Sequence, residues 1–127
     1  FDVKDFNLNF VRGLSLKDGL STLTDFTASI IYDSIINAVS HTKGKDINVL
    51  VCGGGRKNLS LVSTIKKKLP NNIHLDLIDD YKIDGDFVES QAFAYLAIRS
   101  YLKKPISFPH TTNVIRPCSG GVLIENY

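Results

Sequence analysis

The sequence predicts a mixed α/β fold in the order α-β-α-β-α, followed by an irregular C-terminal tail. Three observations carry this. Apolar residues recur at three- and four-residue steps from Leu16 to Val39; a nearly continuous apolar run, Ile47 to Cys52, empties into Gly53-Gly54-Gly55; and apolar and polar residues alternate from Ile73 to Leu77. The first spacing is that of one helix face, and the other two are those of strands.

The first helix is expected from Ser15 to about Thr42, with Leu16, Leu20, Leu23, Phe26, Ile30, Ile31, Ile35 and Val39 along its apolar face. Ser15 and Asp18 form a start signal in which a short oxygen caps the first turn, and Gly44, beyond Lys43, supplies a stop. Asp25, Ser29, Asp33 and Asn37 fall on the opposite, solvated side. The run Ile47 to Cys52 is short and β-branched, which suits a central strand covered on both faces. A second helix over Asn58 to Leu69 gathers Leu61, Val62, Ile65 and Leu69 on one face, turns Lys66, Lys67 and Lys68 to water, and ends before Pro70. Ile73, Leu75 and Leu77 then alternate with His74 and Asp76, the pattern of a strand with one buried and one wetter face, placed beside the first. The last helix is expected over about Asp86 to Lys103, with apolar surface from Phe87, Val88, Phe93 and Leu96 and an Ala-rich middle suited to close packing. Beyond Pro105 the prolines, threonines and glycines predict an ordered loop without regular structure.

Composition narrows the function classes. A length of 127 residues suggests one compact unit. The absence of methionine and the opening on Phe1 suggest a piece of a longer protein. No run is long enough to span a bilayer, so no membrane partner is expected and a cytoplasmic location is the simplest reading. A net charge of +2 is too small to argue for a phosphate-backbone partner, so no nucleic acid is expected. Cys52 and Cys118 give neither a disulfide framework nor a zinc motif, and His41, His74 and His110 form no ligand pair. The acidic cluster Asp79, Asp80, Asp84 and Asp86 is not a calcium loop, because Lys82 stands where an oxygen ligand is needed.

The glycine run carries the chemistry. Without a Cβ, its backbone can turn through positive φ and come close to a sugar or phosphate, and the following helix offers unpaired amides to negative charge. A plain strand-to-helix bend uses the same residues, so both readings stand. Asn58 occupies the third glycine position of a dinucleotide fingerprint, and the Gly-Lys-Ser/Thr ending of a phosphate loop is missing. Asn58 is either a nucleotide contact or a helix cap. Arg56 and Lys57 either approach phosphate or are solvated flanking charges.

Two further stretches add to the loop: Ile83 through Ala97, with Asp84-Gly85-Asp86 and Glu89, and Pro105 through Pro109 followed by Thr111-Thr112. Together with Gly53 through Asn58 they resemble the C-terminal third of the anhydro-N-acetylmuramic acid kinase family. The likeness runs from Phe1-Asp2 through Thr22-Leu23-Thr24 to Gly120-Gly121. His110 and Asn113 depart from the pattern, since relatives carry small residues or glycine there.

The resemblance implies an enzyme of the actin, Hsp70 and sugar-kinase superfamily, with two ribonuclease-H-like lobes closing on ATP and a sugar. Residues 1–127 would form a single incomplete C-terminal lobe. The implied reaction opens the 1,6-anhydro ring of anhydro-N-acetylmuramic acid and phosphorylates O6, giving N-acetylmuramic acid 6-phosphate, with ATP and Mg²⁺ as cofactors. Gly53, Gly54, Gly55 and Asn58 are implied at the nucleotide and Glu89 at the sugar. Read locally, Glu89 instead has capping-box spacing with Asp86, and both readings stay open. The base aspartate and main phosphate loop are expected upstream, so these residues alone should be inactive and need an N-terminal portion in cis or in trans. A homodimer is also suggested. The alternatives are a non-catalytic nucleotide-binding or interaction module left from a split or decayed kinase, and an unrelated α/β protein.

Overall fold

A computed structural model describes residues 7–42 and 44–124. Phe1 and Asp2, where the resemblance begins, and Lys43, at the expected end of the first helix, lie outside the described residues. The length suggests one compact unit; the chain forms two, Phe1–Gly85 and Asp86–Tyr127.

The first unit contains helix α1 (Leu16–Val39), strand β1 (Ile47–Val51), helix α2 (Leu59–Lys68) and strand β2 (Ile73–Leu77). Short 3₁₀ turns occupy Asn9–Val11, Gly54–Lys57 and Ile78–Tyr81. Helix α1 starts as its sequence dictates. Ser15 Oγ accepts from the Asp18 N–H at 3.1 Å and donates to Asp18 Oδ2 at 2.7 Å. The regular helix closes at Val39, three residues before Thr42. There the Ser40 and Thr42 hydroxyls take up the carbonyls of Asn37 and Val39, and Gly44 turns away at φ +74°.

The core takes up only part of the apolar face that α1 presents. The one buried residue of the helix is Ala28, which joins Val62, Ile65 and Leu75 in the core, with Ile31 and Ile35 packed beside it. Leu16, 81% exposed, and Leu20 lie outside. The reason is length. Twenty-four residues of helix span about 36 Å and the ten of α2 about 15 Å, so α2 covers only part of α1. Where they meet, a methyl side chain lets the helices come close. Toward its start, α1 is met by the preceding turn, with the Phe10 and Phe26 rings 5.2 Å apart. Asp25 stays on the solvated side and reaches Lys68 Nζ at 2.9 Å.

β1 and β2 pair in parallel, Ile47 opposite Ile73 through Val51 opposite Leu77. Ile73 and Leu75 are buried and His74 is exposed, as the alternation requires. β1 departs from the expectation of a central strand covered twice. Its only partner among the described residues is β2, and Asn48 and Leu50 face an uncovered side. Asn48 already breaks the apolar run, which makes the strand half-buried.

The second unit holds helix α3 (Val88–Tyr101), helix α4 (Pro109–Thr112) and an isolated antiparallel bridge between Ser107 and Cys118. α3 begins two residues later than Asp86. Phe87 is its N-cap, and the Phe87 side chain makes no cap hydrogen bond. Its Ala-rich middle is exposed instead of closely packed. α4 corrects the reading of the tail as lacking regular structure: Pro109 presets the first-turn φ, and Asn113, at φ 55°, ends the turn in left-handed backbone. Arg99 ties this unit together. Its Nε donates to the Pro105 carbonyl at 2.7 Å, and its guanidinium lies 5.6 Å from the Tyr95 ring centre and 5.8 Å from that of Phe108. Ser100 Oγ donates to the Gly120 carbonyl.

Candidate functional site

Parallel strands open their C-terminal ends on the same side, which is where open α/β sheets take ligands. β1 delivers the glycine run there. Gly53 turns at φ +77°, and a 3₁₀ turn follows, in which the Arg56 N–H donates to the Gly53 carbonyl and the Asn58 N–H to the Gly55 carbonyl.

The three glycines are not equivalent. Only Gly53 has the left-handed backbone that favours glycine; Gly54 and Gly55 do not. At none of the three would a Cβ meet a heavy atom within 4 Å. A bend therefore accounts for Gly53 alone. Gly54 and Gly55 present open backbone to an open space, and within a helical turn glycine is disfavoured relative to alanine. Beside the loop lies an apolar hollow of about 350 Å³ that reaches into the core, with Val62, Ile65 and Leu75 among its walls and Cys52 and Gly55 at the loop. Gly54 and Gly55 thus leave room for a group that approaches the main chain.

Asn58 acts as the cap of α2: its Oδ1 accepts from the Leu61 N–H at 3.1 Å. Arg56 is neither a solvated flank nor turned to open water. It is 5% exposed and grips Asp79 with both prongs, Nε to Oδ2 at 2.7 Å and Nη2 to Oδ1 at 3.0 Å. Its Nη1 donates to the Gly53 carbonyl at 3.0 Å. The hydrogen bond from Arg56 holds the Asp79 carboxyl below the usual carboxylate range. Tyr81, whose hydroxyl donates to Asp76 Oδ2 at 3.2 Å, has its phenol pushed up by that bond.

Gly53, Gly54, Gly55 and Asn58 are thus brought together on one turn of the first unit. Glu89 belongs to the second, exposed in the first turn of α3. Among the described residues no three of His, Cys, Asp and Glu gather as a metal site, and no helix is long and apolar enough to cross a membrane. The Arg56–Asp79 pair and Gly85 were not legible as a site. One signal points to them: in a parallel pair ending at Val51 and Leu77, the residues just beyond each strand emerge side by side, a basic one after β1 and an acidic one after β2.

The family model described as anhydro-N-acetylmuramic acid kinase matches residues 5–126. The anhydro-N-acetylmuramic acid kinase of Pelagibacter ubique is 65% identical over 127 residues, covering 100% of this chain and 34% of its own length. Those of Zymomonas mobilis and Caulobacter vibrioides are 38% and 37% identical, over 94% and 97% of this chain and 31% and 32% of their own. The chain spans about a third of the length of these curated relatives and matches their C-terminal part. With the glycine turn at the mouth of a parallel βαβ unit and a family match over almost every residue, this chain belongs to the anhydro-N-acetylmuramic acid kinase family.

Proposed function

We propose that this chain is the C-terminal part of an ATP-dependent kinase that opens the 1,6-anhydro ring of anhydro-N-acetylmuramic acid and phosphorylates O6, giving N-acetylmuramic acid 6-phosphate. The observation that carries the nucleotide half of this reading is the open, side-chain-free backbone at Gly54 and Gly55, for which the turn itself gives no need. ATP supplies the phosphoryl group, and catalysis of its transfer is mainly positioning and charge stabilisation. In this reading Gly53, Gly54 and Gly55 admit the nucleotide to backbone distance, and Asn58 fixes the start of α2 beside it. Glu89 orients a sugar hydroxyl or the attacking water, a role its exposed position allows. Mg²⁺ would be held largely by the nucleotide phosphates, as is usual for this ion, with further ligands and the base aspartate from the portion of the relatives that this chain does not span. A cytoplasmic homodimer is the setting we propose for the complete enzyme.

The test uses the complete protein and its Gly54→Val variant in calorimetry with ATP. Gly54 is free of positive φ and of close neighbours, so the variant should unfold at nearly the wild-type midpoint while its affinity for ATP falls by at least about tenfold. Undiminished ATP binding by the variant would refute the loop assignment. Wild-type binding without formation of the 6-phosphate product would favour the non-catalytic module instead.

A further inference from the structure

Arg56 sits immediately after the glycine run, yet its charge is turned inward. Asp79 compensates the guanidinium in a two-pronged pair, with Asp84 Oδ1 a further 3.9 Å from Nη2. Two donors of the same residue converge on one acceptor: the Gly53 carbonyl takes the Arg56 N–H at 3.3 Å and Nη1 at 3.0 Å. The Gly53 N–H in turn donates to the Gly85 carbonyl at 3.0 Å, and the Gly85 N–H reaches Asp79 Oδ1 at 3.4 Å. Gly85 is pressed against the guanidinium so closely that a Cβ there would fall 2.4 Å from Nε and 2.7 Å from Cζ. The loop is therefore curled around its own arginine and tied by it to the segment that follows β2.

We infer that Arg56 is a positioning residue for the nucleotide loop, holding Gly53 through Gly55 in the receptive conformation before the nucleotide arrives. This rests on the nucleotide reading above. A planar fork with fixed donors matches the carboxylate and the carbonyl at once, which the point charge of a lysine cannot do. Because the pair leaves the guanidinium buried and compensated, its contribution is to shape the loop, and the phosphates meet backbone. Holding the loop in its bound form beforehand lowers the ordering cost of binding, so its loss should fall on ATP affinity.

The experiment compares wild type, Arg56→Ala, Arg56→Lys and Asp79→Asn in the complete protein. Three readings are taken: calorimetric ATP binding, steady-state constants for ATP and sugar, and hydrogen exchange. Arg56→Ala is expected to weaken ATP binding about tenfold or more and to raise KM for ATP more than it lowers kcat, with KM for the sugar little changed. Exchange of the Gly53 and Arg56 amides should quicken by about tenfold while α1 and β2 keep their protection. Arg56→Lys should not restore either reading. Where Arg56→Ala does not fold, Asp79→Asn carries the test, since it keeps the side-chain size and removes the charge-assisted pair; a several-fold loss of ATP affinity is expected. Wild-type ATP affinity in the folded variants, full rescue by lysine, or a uniform rise of exchange across the first unit would overturn the positioning role. Absence of ATP binding by the wild type would instead refute the nucleotide reading, and this inference with it.

Discussion

Among the described residues, the first unit buries an apolar core, whereas the second is tied by polar contacts. In Phe1–Gly85, two helices and a parallel strand pair bury Ala28, Val62, Ile65, Ile73 and Leu75. In Asp86–Tyr127, no described residue of α3 or α4 is buried, and Phe93, Tyr95, Ile98 and Tyr101 are all exposed. Each unit has an arginine at a chain crossing, used differently. Arg56 is buried against a carboxylate; Arg99 lies over two aromatic rings and donates to a carbonyl. The contrast follows from layering. A helix gains most of its stability by burying one face on another element, and a 14-residue helix without such a face is marginal. Among the described residues, the ties within the second unit are hydrogen bonds and ring contacts.

That contrast can be broken most forcefully in the core. Ile65→Ala should cost about 2–4 kcal/mol in urea unfolding, through lost burial and the cavity left behind, whereas Leu96→Ala in α3 should cost under about 1 kcal/mol. Equal losses would erase the distinction between the units. Next in size is Arg99→Ala, which removes a charge-assisted bond and two ring contacts and should cost about 1–2 kcal/mol. Its signature is local: the amides of Ile106 and Ser107, which donate to the Cys118 carbonyl, should exchange faster while those of α2 do not change. Protection lost equally in both units would mean that they unfold together.

The smallest effect is expected from pH and sharpens the role of the other arginine. Folding lowers the Asp79 carboxyl through its bond with Arg56. The stability this contributes is fully present above the ordinary carboxylate pKa and is lost as pH falls through the folded value. Because the Asp79 side chain is 40% exposed, solvent screens the pair and the loss should be modest. Urea unfolding at about pH 6 and about pH 3 should show a smaller acid loss for Asp79→Asn than for wild type. An identical loss would remove Asp79 from the acid response.

What the chain determined by itself is local. The caps Ser15 and Asn58, the alternation of β2 and the glycine turn at the end of β1 are legible because the groups involved lie within a few residues of one another. The family match likewise rests on contiguous motifs. Tertiary structure decided whatever depends on which elements meet. Ala28 became the buried point of α1 only because the shorter α2 crosses there. The core packs against the Val49 and Val51 side of β1, and among the described residues nothing buries Asn48 and Leu50 on the other; α3 starts at Val88, two residues after Asp86. Arg56 and Asp79 stand 23 residues apart, and only the placing of a basic residue after β1 and an acidic one after β2 points to them as a pair. Parallel registry sets their turns side by side, and burial then makes the pairing obligatory, since an arginine removed from water needs a partner for its charge.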